Sequence, residues 1–201
     1  MAVCDMVVDL GVQPGTGQFP KDQHKILLRF EIPTERVKYT KDGKEMDGPA
    51  VISNRYTASM HEKANLRKTL ASWRGKQFTD DEAESFDVSA VLGKPCLLNI
   101  VETTKGDKVY SNIAGIAPPL KGVALPVAEL PLLLYTEEHP ETFDKLPEWI
   151  RKLIEGQLRS DGKSYSKPDA DGSYGFDQQS VPVDAYDQDA SQFITDDEIP
   201  F

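Results

Sequence analysis

The 201-residue chain predicts a mainly β fold with helices, of the α+β class, followed by an unfolded acidic tail. Three observations carry that expectation. Short apolar runs suited to strands recur and are separated by turn signals. A segment of helical period sits between the early and the late runs. Beyond about Leu158 no period is sustained, and from Asp169 to Phe201 there are nine acids and no Lys or Arg. Residues 1–168 hold 24 acids and 23 bases, a net of -1, so nearly all of the net charge of -10 lies in residues 169–201.

The elements follow in order. "DMVVDLGVQ" opens with an apolar run suited to a strand, and "PGTGQFPKD" (14–22) is a loop by its Pro and Gly content. "HKILLRFEI" (24–32) reads as a strand with Ile26, Leu28 and Phe30 on one face. "RVKYTKDGKEMDGP" (36–49) reads as a basic hairpin turning at Asp42-Gly43. In the strand at 49–59, Ile52, Asn54 and Tyr56 share one face, and Val51, Ser53, Arg55 and Thr57 the other. The period then changes. "HEKANLRKTLASW" (61–73) spaces Ala64, Leu66, Leu70 and Trp73 as a helix face, with Ser59 and Glu62 as a capping box and Gly75 as the stop. A second capping box, Thr79 with Glu82, opens a short helix reaching about Phe86. Residues 94–104 and 107–117 form two strands joined by Lys105-Gly106-Asp107. "LPVAELPLLLYT" carries Pro126 and Pro131, which favours a packed extended segment over a mid-sheet strand. A last helix spans 140–156, with Phe143, Leu146, Ile150, Leu153 and Ile154 on one side.

Strands, a helix, two strands and a final helix fit a five-stranded OB-type Greek-key barrel with a helix inserted between the third and fourth strands. The same order also fits an unrelated small barrel or α+β sheet. The expected domain covers residues 1–157. Residues 158–201 form the tail, with too little apolar area to offset the entropy of ordering from about residue 160 onward. Cys96, in "PCLLNIV", reads as a buried thiol, and Cys4 and Cys96 form no disulfide or zinc framework. No stretch is long and apolar enough to span a membrane, and "MAVCDMVVDLG" lacks a signal-type start, so a cytoplasmic location is expected.

No catalytic constellation is visible. His24, His61 and His139 lack metal-pair spacing, no phosphate or dinucleotide loop follows a strand, and Asp169-Ala-Asp171-Gly172 lacks the rest of a calcium loop. Neither an enzyme nor a cofactor is expected, and a nuclease is disfavoured for want of a carboxylate cluster.

Single-strand binding fits better. Arg36 to Lys76 holds ten bases against four acids, a net of +6, and aromatic rings are interleaved with them. A cationic groove for phosphates and ring faces for bases are what single-strand binders need. The candidate residues are Arg36, Lys38, Tyr39, Lys41, Arg55, Tyr56, Lys63, Arg67, Lys68, Trp73, Arg74, Lys76, Phe78, Lys108 and Tyr110. Tyr39 and Tyr56, on β segments beside bases, are the rings expected to be exposed. Trp73 suits either the core or a stacking role. For the cations the alternative is an ordinary solvated face.

The terminal "DDEIPF" resembles the acidic tip of bacterial single-stranded DNA-binding proteins, which end in acids followed by Ile-Pro-Phe. The resemblance covers residues 196–201. It implies that Ile199, Pro200 and Phe201 fill a pocket on a replication, recombination or repair enzyme, while Asp196, Asp197 and Glu198 meet its basic rim. The body departs from the standard bacterial pattern. "VDLGVQPG", "YTASMHEKANLRKTLASWRGKQFT" and "LGKPCLLNIV" look like a divergent group of phage or prophage replication-associated proteins. That likeness spans most of residues 7–115 and implies a phage-type single-strand binder in a host bacterial cytoplasm. The expected partners are single-stranded DNA and host or phage replication and recombination proteins, with a homo-oligomer left open. Two other functions stay open: an adaptor or decoy that uses the tip without binding DNA, and a strand-annealing recombination protein.

Overall fold

The computed structural model describes residues 1–15, 21–41, 43–105 and 108–157. The expected tail and its tip at 196–201 lie outside the described residues, as do the turn residues Asp42, Gly106 and Asp107.

Six strands form the sheet: β1 (Ala2–Gln13), β2 (Gln23–Lys41), β3 (Lys44–Thr57), β4 (Pro95–Lys105), β5 (Lys108–Ala117) and the short β6 (Leu133–Tyr135). The hydrogen-bonded order is β3-β2-β1-β4-β5, all antiparallel, and β6 adds to β1 in parallel. The β1–β4 link is brief, Ala2 opposite Cys96 and Val3 opposite Pro95. The ladder does not close, although β5 lies against β3. The fold is therefore mainly antiparallel β with a few helices, and the short parallel β6 is added to the five antiparallel strands.

The alternation read from the sequence explains the layering. Ile26, Leu28 and Phe30 of β2 face one cluster with Ile52 and Tyr56 of β3. Helix α1 (Asn65–Arg74) covers it with Leu66, Leu70 and Trp73, and Phe78, Cys96 and Ile116 complete it. Leu27 points the other way, to a second cluster of Met6, Val8 and Leu10 under Leu146, Ile150 and Ile154. Each fully buried large aliphatic chain contributes about 1.5–3 kcal/mol. The central strands β1 and β2 are thus covered on both faces.

Several boundaries differ from expectation. Helix α1 starts at Asn65 and not at 61, and its N-cap position, Ala64, makes no side-chain cap bond. The Ser59–Glu62 box does not form, because the His61 carbonyl accepts from Ala64 N–H in a turn before the helix. Gly75 does end the helix, at φ 72°, a left-handed conformation that favours glycine. The Thr79–Glu82 box is present and opens α2 (Asp80–Glu84). The last helix is broken. Pro140–Lys145 forms a 3-10 turn, Leu146 is extended at ψ 147°, and α3 runs over Glu148–Glu155. Pro147 causes the break, since the residue before a proline is pushed out of the α region. The segment at 120–132 is less packed than expected, with Val123, Leu125 and Val127 exposed, Val127 at 81%. Among the described residues no helix is long and apolar enough to cross a membrane.

Candidate functional site

Beyond the core, two antiparallel ribbons project. In one, Arg36–Lys41 pairs with Lys44–Pro49 beyond a register shift between Ile32 and Arg36. In the other, β4 and β5 pair beyond a shift at Asn99/Ile100, out to Lys105 opposite Lys108. Both faces of the ribbons meet solvent: Lys38, Thr40, Glu45 and Met46 are exposed on the first, and residues 99–104 and Val109 on the second. A strand with one face in the core cannot do this, so beyond Gly48 and Pro49, which are buried at the base of the first ribbon, these segments are held by cross-strand pairing and not by burial.

A groove of about 480 Å³ lies between the ribbon bases. Ala2, Val51 and Ile52 form part of its lining, with Ile32, Glu35, Arg36 and Val37 from the first ribbon. Leu98, Ile100, Glu102 and Ser111 come from the second. Strand alternation puts Tyr39 on the Val37 side of β2, and cross-strand pairing puts Met46 beside it and Lys44 beyond. A half-buried ring and a lysine therefore continue the groove outward.

The predicted cations divide into two groups. Arg36 is engaged twice: Asp47 accepts at 2.6 and 2.8 Å, and Glu129 accepts from its Nη1 at 2.8 Å. Those hydrogen bonds, Glu129's first, raise its pKa further. Arg67 donates to the carbonyls of Met60 and Phe78 and to Asp80. Arg74 donates to the carbonyls of Lys76 and Gln77 and to Glu82, and lies 3.9 Å above the Phe78 ring. Lys76 sits 3.6 Å from Glu82. These groups anchor the chain between α1 and α2. Lys38, Lys44, Lys63 and Lys68 are exposed, and among the described residues none makes an ion pair. Arg55 is half-buried near the other end of β3, roughly 35 Å of strand from Lys44. The side chains of Lys41 and Lys108 lie outside the described residues.

The rings divide likewise. Tyr56 is 3% exposed and belongs to the core, which corrects the expectation of a stacking face. Trp73 is core too: its ring lies 5.4 Å from Phe30, and its Nε1 donates to the Pro95 carbonyl at 2.9 Å. Phe78 is buried edge-on to Phe86. Tyr39 and Tyr110 remain half-buried, one on each ribbon. By alternation Tyr110 lies on the opposite face from Ser111, so only Tyr39 extends the groove wall.

Sequence reasoning passed over a buried polar layer. Arg29 donates from Nε and Nη2 to Asp5 Oδ2, Nε at 3.0 Å. Burial pushes the Asp5 carboxyl pKa up, against the pull of Arg29. Glu31, fully buried, accepts the backbone N–H groups of Glu129 and Leu130 at 2.7 and 2.8 Å. These two bonds and the Arg36–Glu129 bridge fasten the 118–132 segment to β2. The available signal was the charge inside the apolar run "LLRFEI", whose alternation reads as a solvent face when no covering segment is foreseen.

No family model, curated protein or solved structure matches the chain.

Proposed function

We propose that the chain is a non-catalytic single-stranded DNA-binding protein acting in phage-type replication and recombination, built on an OB-type barrel. The observation that carries the reading is the pair of projecting ribbons flanking one groove, with Tyr39 and Lys44 continuing its wall. The strand order β3-β2-β1-β4-β5, with α1 between β3 and β4, supports the barrel assignment. An extended single strand can lie between such ribbons, its bases on apolar and ring surfaces and its phosphates on exposed lysines. The tip at 196–201 is proposed to recruit replication and repair enzymes: the Phe201 ring gives a buried anchor, and Asp196, Asp197 and Glu198 give charge-assisted bonds to a basic rim.

Binding to single-stranded, duplex and RNA oligonucleotides of one length, at two salt concentrations, tests the reading. Preference for the single strand is expected, weakening with salt. Removing 196–201 is expected to abolish enzyme recruitment and to spare or strengthen DNA binding. Loss of DNA binding on that deletion contradicts the assignment of roles.

A second reading, an adaptor or decoy without DNA binding, is favoured by the engagement of Arg36, Arg67 and Arg74 within the fold and by the exposed apolar side chains at 120–132. Absence of single-strand affinity combined with intact capture of a tip-binding enzyme selects it.

A further inference from the structure

We infer that the groove between the ribbons is a base subsite selecting an amino-bearing base (cytosine, adenine or guanine) over thymine or uracil, and that Glu35 and Glu102 read the amine; this rests on the single-strand-binding reading above. The lining has two characters. Ile32, Val37 and Ile100 offer an apolar surface against which a planar ring can lie. Glu35 and Glu102 supply two carboxylates, and among the described residues neither has an ion-pair partner. Arg36, which also lines the groove, is already matched by Asp47 and Glu129.

Met1 also lines the groove, and its α-ammonium offsets part of this negative charge; the two carboxylates outnumber it and disfavour a phosphate there. A carboxylate accepts hydrogen bonds and cannot donate them. Cytosine N4, adenine N6 and guanine N2 each present an exocyclic NH₂ donor. Thymine and uracil present a carbonyl at the equivalent pyrimidine position, and their one ring N–H lies between two carbonyls that a carboxylate repels. The volume, about 480 Å³, falls in the range of small-ligand clefts. Phosphates are left to Lys44 at the outer end of the same ribbon face, so base and backbone have separate contacts.

The test compares oligo(dC) with oligo(dU) of equal length by fluorescence anisotropy at fixed salt, with oligo(dT) and oligo(dA) as further arms. The dC and dU bases share a size and differ at position 4 of the ring. The full chain is expected to bind dC at least about fivefold tighter than dU, within the discrimination of a base-edge hydrogen bond to an acid. In the double variant Glu35→Gln, Glu102→Gln the ratio should fall to within about twofold. Both residues are exposed, so the fold should survive, and circular dichroism checks it. Equal binding of dC and dU, tighter binding of dU, or an unchanged ratio in the variant overturns the inference and leaves single-strand binding standing. No binding to any of the oligomers overturns both.

Discussion

At the residue scale, burial separates the side chains that hold the fold from those that can meet a ligand. Trp73 shows the distinction. Its indole N–H is satisfied by a backbone carbonyl and its ring packs on Phe30, so no face is left for a base. Trp73→Phe should destabilise the protein by about 1–3 kcal/mol in chemical denaturation. The folded variant should keep its single-strand affinity within about twofold, because a lost stacking ring costs about 1–3 kcal/mol of binding. A tenfold loss of affinity at full stability would place the ring on the DNA. Glu82 offers a pH test. Its pKa is pulled from the ordinary 4.5 down to about 2, first by the Thr79 N–H and then by Arg74. A folded pKa below the unfolded one stabilises above about pH 4.5, and the contribution is lost as pH falls towards 2. Glu82→Gln should therefore lower the melting temperature at pH 7, and the two melting curves should converge near pH 2.

At the element scale, pattern located the strands and helices better than it located their ends. The Asp42-Gly43 turn signal and the apolar alternation of β2 set the register that is observed, Lys41 opposite Lys44 and Phe30 opposite Ile52. The Thr79 box was legible because its bonds are local. The Ser59 box had the same spelling and did not form, since a turn through His61–Ala64 precedes the helix. Thr79→Ala should cost about 1 kcal/mol in denaturant unfolding, whereas Ser59→Ala should stay within about 0.5 kcal/mol. Pro147 was a visible breaker inside a strong apolar period, and the breaker won locally while the apolar face stayed in register with the second cluster. The ribbons carry the clearest element-level claim. Replacing residues 103–110 by a two-residue turn should leave the melting temperature within a few degrees, because residues 99–104 and 109 bury little. The same change should weaken single-strand binding at least tenfold, as read by anisotropy.

At the scale of the whole molecule, the sequence revealed the basic stretch and the acidic tail but not how the cations are used. Arginines at 36, 67 and 74 bind carboxylates and carbonyls of their own chain, a pairing set by contacts that cross up to 93 residues of sequence. Such contacts are invisible to local charge counting. The same holds for Glu31, which accepts two backbone N–H groups from a segment nearly a hundred residues later. Among the described residues, Lys38, Lys44, Lys63 and Lys68 are exposed without an ion pair, so the electrostatic share of binding should be modest. The affinity for a single strand, measured by anisotropy from about 50 to 300 mM salt, tests this account most directly. Two to four neutralised phosphates predict a log–log slope of about -1.4 to -2.8. A measurable affinity that does not change with salt, or no affinity at all, would contradict it.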